Sequence, residues 1–147
     1  MGELPSAVLF CCTMNAIRSP MAEGILKRLH GTRIYVDSVG VKAGEPDPFV
    51  VQVMEEIGID VSRHRSKTFD ELEDDSFDVV VSLSPEAQHR AVELTRTMAI
   101  DIEYWPTLDH SATTGSREHI LDAYRMVRDG LARKILSRFP REQARGV

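Results

Sequence analysis

Residues 7–30 read AVLFCCTMNAIRSPMAEGILKRLH, and this stretch decides the fold. Ala7 to Cys11 is a short apolar run, as expected of a strand buried on both faces. Ser19-Pro20 predicts a helix start, with the serine as N-cap and proline at the first helical position. The helix itself, MAEGILKRLH, is expected to stop near Gly31. Strand, short polar loop and helix form the opening unit of a parallel α/β sheet.

The same alternation continues outward. Ile34 to Val39 reads as a second strand, followed by the turn GEPDP and the helix FVVQVMEEIG. Asp78 to Ser82 reads as a third strand. Ser84-Pro85 repeats the cap-and-proline device before EAQHRAVEL. Ile100 to Tyr104 is a weaker fourth strand, and Trp105 to Gly115 a polar loop. A last helix spans about Ser116 to Arg138, where Ile120, Leu121, Tyr124, Val127, Leu131 and Ile135 recur at helical spacing. The expected fold is one doubly wound α/β domain over residues 1–147. Its parallel sheet has four strands in the order 2-1-3-4, with helices on both faces and a flavodoxin-like topology. Ligands of such sheets bind beyond the carboxyl ends of the strands, at a topological switch point. That directs attention to the loop after the first strand.

Composition narrows the function. The chain has 147 residues, 42% hydrophobic and 28% charged, with a formal net charge of -5. The acidic balance argues against nucleic-acid and anionic-membrane partners. No apolar run reaches the roughly 20 residues of a membrane span, and the N-terminus lacks the basic start of a signal peptide. A cytoplasmic location is the expectation. The only two cysteines, Cys11 and Cys12, are neighbours, too few for a disulfide framework or a zinc site.

The loop Cys12-Thr13-Met14-Asn15-Ala16-Ile17-Arg18-Ser19 places a cysteine, five residues, an arginine and a serine just before a helix. Backbone N–H groups at a helix start lack intrahelical partners, and the helix dipole is positive there. A loop wrapped around that point makes an oxyanion cradle. A cysteine in such a field is expected to act as a nucleophilic thiolate. Arg18 adds a planar fork for two phosphate oxygens. Asn15 tolerates the left-handed conformation that a tight loop requires. A Cys-x5-Arg spacing is common by chance; the strand before it and the helix start after it make it chemical. Together they point to phosphoryl transfer through a cysteine.

The segment VLFCCTMNAIRSPMAEGIL resembles the N-terminal signature of the low-molecular-weight protein tyrosine phosphatases, a family that also contains the thioredoxin-coupled arsenate reductases. DSVGVKAGEPDP, EEIGIDVSRHRSK, FDVVVSLS and YWPTLDH extend the resemblance, in order, over almost the whole chain. It implies that Cys12 attacks phosphorus and forms a phosphocysteine, and that Arg18 clamps the phosphoryl oxygens. The backbone of Thr13, Met14, Asn15, Ala16 and Ile17 would complete the cradle. Ser19 would assist the departing thiolate. Asn15 would hold the loop's shape, supported by Ser38 and His64. The general acid, which protonates the leaving oxygen and then activates water, falls on Asp109. Asp101, Asp122 and Asp129 are poorer placed, the first at the wrong end of a strand and the others on the last helix. The implied substrate is a phosphorylated protein or a small phosphate monoester, with inorganic phosphate as product, and no cofactor or metal.

Four departures from the family pattern stand out. Met14 replaces a glycine, so its side chain must sit at negative φ or at the pocket rim. Ile17 replaces a second cysteine that shields the nucleophile in many members, and a vicinal Cys11–Cys12 disulfide would be strained. His110 replaces the proline after the acid, with no tyrosine following, and VGVKAGEPDP lacks an aromatic rim residue. His110 is therefore an alternative proton donor to Asp109. Three other readings remain: an arsenate reductase using external thiols, a phosphopeptide- or anion-binding module that has lost catalysis, and a flavodoxin-type nucleotide binder.

Overall fold

The computed structural model describes residues 4–72, 76–96 and 98–141. Four strands, β1 (Ala7–Cys12), β2 (Tyr35–Gly40), β3 (Val79–Ser82) and β4 (Asp101–Tyr104), alternate with four helices. These are α1 (Arg18–His30), α2 (Pro48–Glu55), α3 (Pro85–Thr95) and α4 (Arg117–Arg138). A single 3₁₀ turn, Phe69–Glu71, which the sequence reading did not anticipate, lies between α2 and β3. The sheet is parallel throughout, in the order β2-β1-β3-β4, as expected.

The apolar runs explain this arrangement. Every residue of β1 and β3 is buried, because both strands are central and covered on both faces. Side chains alternate between the faces. Val8, Phe10 and Cys12 join the layer under α1, α2 and α4, whereas Ala7, Leu9 and Cys11 join the smaller layer under α3. Each fully buried Leu or Phe here contributes about 1.5–3 kcal/mol. The edge strand β4 is largely exposed, which is why its sequence signal was weak. Trp105, directly after it, packs its ring 6.1 Å from Phe10 and 6.5 Å from Phe139, closing that edge against α4.

Helix starts divide into two kinds. Ser84 and Ser116 cap α3 and α4 by accepting from the Ala87 and His119 N–H groups, at 3.2 and 3.1 Å. Ser19 does not cap α1, contrary to the expectation. The helix begins one residue earlier, at Arg18, its N-cap Ile17 makes no side-chain bond, and Ser19 lies inside the first turn. Its hydroxyl is recruited by Cys12 and Asn15 instead. Likewise Cys11 is not the last residue of β1: pairing runs one residue further, to Cys12 opposite Gly40. No helix among the described residues is long and apolar enough to cross a membrane.

Candidate active site

The site lies beyond the carboxyl ends of the strands, where the sheet order places β1 between β2 and β3. Past Cys12 the chain leaves β1, but its carbonyls stay bonded to the segment that follows β2. Val41, Lys42 and Gly44 donate to the carbonyls of Cys12, Thr13 and Met14 at 3.1, 2.8 and 2.8 Å. In a trans peptide the N–H points opposite to the C=O. The Thr13, Met14 and Asn15 N–H groups are therefore turned to the other side of the loop, and Asn15 donates there to the Cys12 sulfur at 3.3 Å. No described group accepts from the N–H of Thr13, Met14, Ala16, Ile17 or Arg18. A row of unpaired backbone donors beside a sulfur has the makings of an oxyanion site.

Asn15 holds this shape. It is the only described non-glycine residue with positive φ, at 53°, and it is fully buried. Its side-chain N–H groups donate to Ser19 Oγ at 2.8 Å and Ser38 Oγ at 2.9 Å, while its Oδ1 accepts from the Lys67 N–H at 3.0 Å. Its carbonyl accepts from Ser66 Oγ at 2.7 Å and His64 Nε2 at 2.9 Å. A carbonyl only accepts, so His64 carries hydrogen on Nε2. Ser38 donates to Glu23 Oε1 at 2.5 Å, leaving its lone pair for Asn15. Ser19, which accepts from Asn15, lies 2.9 Å from Cys12 Sγ, a contact in which either group can donate, and 3.4 Å from the Val39 carbonyl, which can accept its hydrogen. The Asn15 N–H and the Ser19 hydroxyl both lie within hydrogen-bonding reach of the Cys12 sulfur.

Cys11 faces the other layer, buried beside Val81 O at 3.6 Å. Burial, reinforced by the neighbouring Cys12, pushes its thiol well above the ordinary range. It is an inert core residue.

The loop after β4 closes over Arg18. Trp105 and Thr107 donate to the carbonyls of Ser82 and Leu83, extending the pairing with β3 past the end of β4. The Thr107 carbonyl then accepts from Arg18 Nη1 at 3.1 Å, and Thr13 Oγ1 accepts from Nη2 at 3.3 Å. Asp109 Oδ2 stands 3.9 Å from Nη2. Burial pushes the Asp109 carboxyl up, but bonds from the Ser111 backbone and hydroxyl and the charges of Arg18 and His110 outweigh it, leaving it below its ordinary value. His110 is half-buried and turns to Thr113 Oγ1, 3.4 Å from Nδ1. The competing aspartates lie elsewhere: Asp101 opens β4, and Asp122 and Asp129 pair with Arg125 and Arg128 on α4.

Met14 has negative φ and is 40% exposed. It lies along Gly44, where an added Cβ would meet Met14 Cβ at 3.1 Å and Cε at 3.4 Å. Leu108, beside Asp109, is 73% exposed. Phe49, the first aromatic after the β2 segment, is taken up by packing, 5.7 Å from Tyr124 and 5.5 Å from the Arg117 guanidinium. Among the described residues no group of three or more His, Cys, Asp or Glu side chains could hold a metal ion.

The sequence reading assembled Cys12, Arg18, Ser19, Asn15, Ser38, His64 and Asp109, and all of these meet around one loop. It missed Glu23, Ser66, Lys67, Thr107 and Gly40. Glu23 carried one weak signal, lying four residues after Ser19 and so above it on the same helix face. Lys67 and Thr107 act through backbone groups that any residue supplies, so their identity carried none.

A cysteine within a crown of N–H donors, an arginine at the loop's end and a carboxylate over that arginine match a known family. The chain belongs to the low molecular weight phosphotyrosine protein phosphatase family, whose model matches residues 7–139. Within it, an arsenate reductase of Halalkalibacterium halodurans is 34% identical over 129 residues, 87% of this chain and 91% of that protein. A glutaredoxin arsenate reductase of Synechocystis is 41% identical over 76 residues, 52% of this chain, and the match spans 58% of that protein's length. A solved low molecular weight protein tyrosine phosphatase from T. tengcongensis superimposes with a TM-score of 0.74 at 27% identity, covering 91% of this chain and 99% of that one.

Proposed function

We propose that the protein is a phosphate-monoester hydrolase of the protein tyrosine phosphatase type. The observation that carries this reading is the position of Asp109, 3.9 Å from the Arg18 guanidinium at the mouth of the Cys12 loop. Anion binding alone needs no proton donor there, whereas departure of an alkoxide or phenoxide does.

In the proposed reaction the phosphoryl group enters the cradle, its oxygens on the free N–H groups and on Arg18. The Cys12 sulfur attacks phosphorus, the bond to the leaving oxygen breaks, and Asp109 gives that oxygen its proton. A water molecule then attacks the phosphocysteine and Asp109 takes its proton. The S–P bond breaks, the Ser19 hydroxyl stabilises the released thiolate, and inorganic phosphate leaves. In the free protein Arg18 helps keep Asp109 ionised. A bound phosphate dianion occupies that cation and adds negative charge nearby, so substrate itself favours the protonated acid.

The names of the relatives support a second reading, arsenate reduction. Cys11 lies on the opposite face of β1 from Cys12, and the chain has no further cysteine, so the reductant would be an external thiol such as glutathione with glutaredoxin. Turnover of p-nitrophenyl phosphate by the wild type and its loss in Cys12→Ser would support the hydrolase. Arsenate reduction with glutathione and glutaredoxin, without ester hydrolysis, would favour the reductase.

A further inference from the structure

On the side of the phosphate loop where the Asn15 carbonyl is held, α1 and residues 60–71 enclose an open cleft of about 600 Å³. Its charges are not all spent in the same way. Glu23 engages Lys27 and Ser38, and Asp37 engages Lys67 through both oxygens. Asp60 accepts from the Ser62 N–H and hydroxyl, and Glu71 from those of Thr68. Every carboxylate on the wall thus has a partner, and so do both lysines. Arg63 and Arg65 differ. Both line the cleft and are exposed, and neither makes a hydrogen bond or close ion pair with a described residue. Arg63 reaches Asp60 only through its charge.

The uncommitted chemistry of the cleft is therefore two guanidinium forks, with one residue between them. Planar forks of this kind match phosphoryl oxygens, two bonds at a time. We propose that this cleft binds a small anion with clustered phosphoryl groups, gripped by Arg63 and Arg65, and that its occupancy is felt at the phosphate loop. The connection is short. His64 and Ser66, on either side of Arg65, both hold the Asn15 carbonyl, and the Lys67 N–H holds its Oδ1. A ligand that orders Arg65 also orders the residues that keep Asn15 at its positive φ. By linkage, a stiffer loop and a filled cleft favour one another.

Inorganic pyrophosphate is a suitable probe, with Cys12 first carboxamidomethylated by iodoacetamide so that the cradle itself is closed. Backbone amides of residues 63–67 should shift on titration, and the Asn15 amide should exchange more slowly with solvent once pyrophosphate is bound. Arg63→Gln/Arg65→Gln should bind roughly tenfold or more weakly while keeping the wild-type melting temperature, and should lose the effect at Asn15. Arg65→Lys, with charge but no fork, should fall between. No shift in the wild type, or undiminished affinity in the double variant, would overturn the site. Binding with unchanged exchange at Asn15 would overturn its connection to the loop. None of these readouts uses turnover, so their failure would leave the hydrolase reading standing, and a protein inactive on esters could still show them.

Discussion

Arg18 and Asp109, the proposed phosphoryl clamp and the proposed proton donor, face each other at 3.9 Å across the mouth of the site. Arg18 is one of the groups that favour the ionised form of Asp109 against the opposing effect of burial, and in the proposed mechanism that form is unproductive before substrate binds. Substrate must reverse that, and the reversal can be measured.

Asp109 acts as an acid only when protonated, so activity falls as pH rises through its pKa. In kcat/KM, which reports the free enzyme, this fall should begin below the ordinary carboxylate value, because Ser111, Arg18 and His110 together hold the carboxyl down against burial. In kcat, which reports the complex, it should lie at higher pH. Asp109→Asn should abolish this limb in both. Coincident limbs in the two profiles would mean that phosphate does not relieve the Arg18 contact.

Asp109→Asn should lower turnover of aryl phosphates with basic leaving groups by about 10²–10⁴-fold, the usual worth of a general acid. The loss should shrink for an activated leaving group such as p-nitrophenolate. His110→Ala should change turnover only modestly, since His110 is turned to Thr113. A reversed ranking would make His110 the donor.

Cys12 should react with iodoacetate at pH 6 far faster than Cys11, and phosphate should protect it. Both side chains are almost wholly buried, so exposure does not separate them. What separates them is the face of β1: Cys12 opens into the cradle, while Cys11 lies in the core with its thiol pushed up by burial. Peptide mapping by mass spectrometry reads the ratio, and equal labelling would contradict the assignment.

Asn15→Ala should destabilise the protein by about 3 kcal/mol or more. It removes one bond each from Ser19 and Ser38, at about 1 kcal/mol apiece, and leaves the Lys67 N–H unpaired, at about 1–3 kcal/mol, and it forces alanine into a left-handed conformation. Ser38→Ala should cost about 1 kcal/mol. Denaturant midpoints measure both, and kcat should fall in the same order.

Gly40→Ala should damage the site from outside it. A Cβ there would lie 2.5 Å from the Lys42 carbonyl oxygen, 2.6 Å from Asn15 N and 2.8 Å from the Met14 carbonyl carbon. All three are backbone atoms that cannot swing aside. A loss of about 1–3 kcal/mol, together with weaker competitive inhibition by phosphate, is the expected outcome. Wild-type stability and inhibition would show that the loop yields more freely than its hydrogen bonds imply.

Much of this protein is written in local sequence, because burial on both faces and helical periodicity leave local marks. The apolar run from Ala7 to Cys11 reads as a buried strand, Ser84 caps its helix as read, and the alternation of strands and helices gives a parallel α/β sheet. The Cys12-x5-Arg18 spacing before a helix start pointed to the proposed nucleophile and clamp, while the proposed acid, Asp109, rested on the family resemblance. What the sequence could not decide was how identical-looking groups are used. Ser19-Pro20 and Ser84-Pro85 are the same dipeptide, yet one serine caps a helix and the other serves a sulfur, because only at Ser19 does the fold bring Asn15 and Cys12 within bonding distance. Cys11 and Cys12 are neighbours in the chain and opposites in chemistry, separated by the pleat of β1. Glu23, Lys67 and Gly40 entered the site only through tertiary structure: they act through contacts spanning 15 to 52 residues of chain or through the room that a missing Cβ leaves. Such relationships have no local periodicity to reveal them, and packing alone decides them.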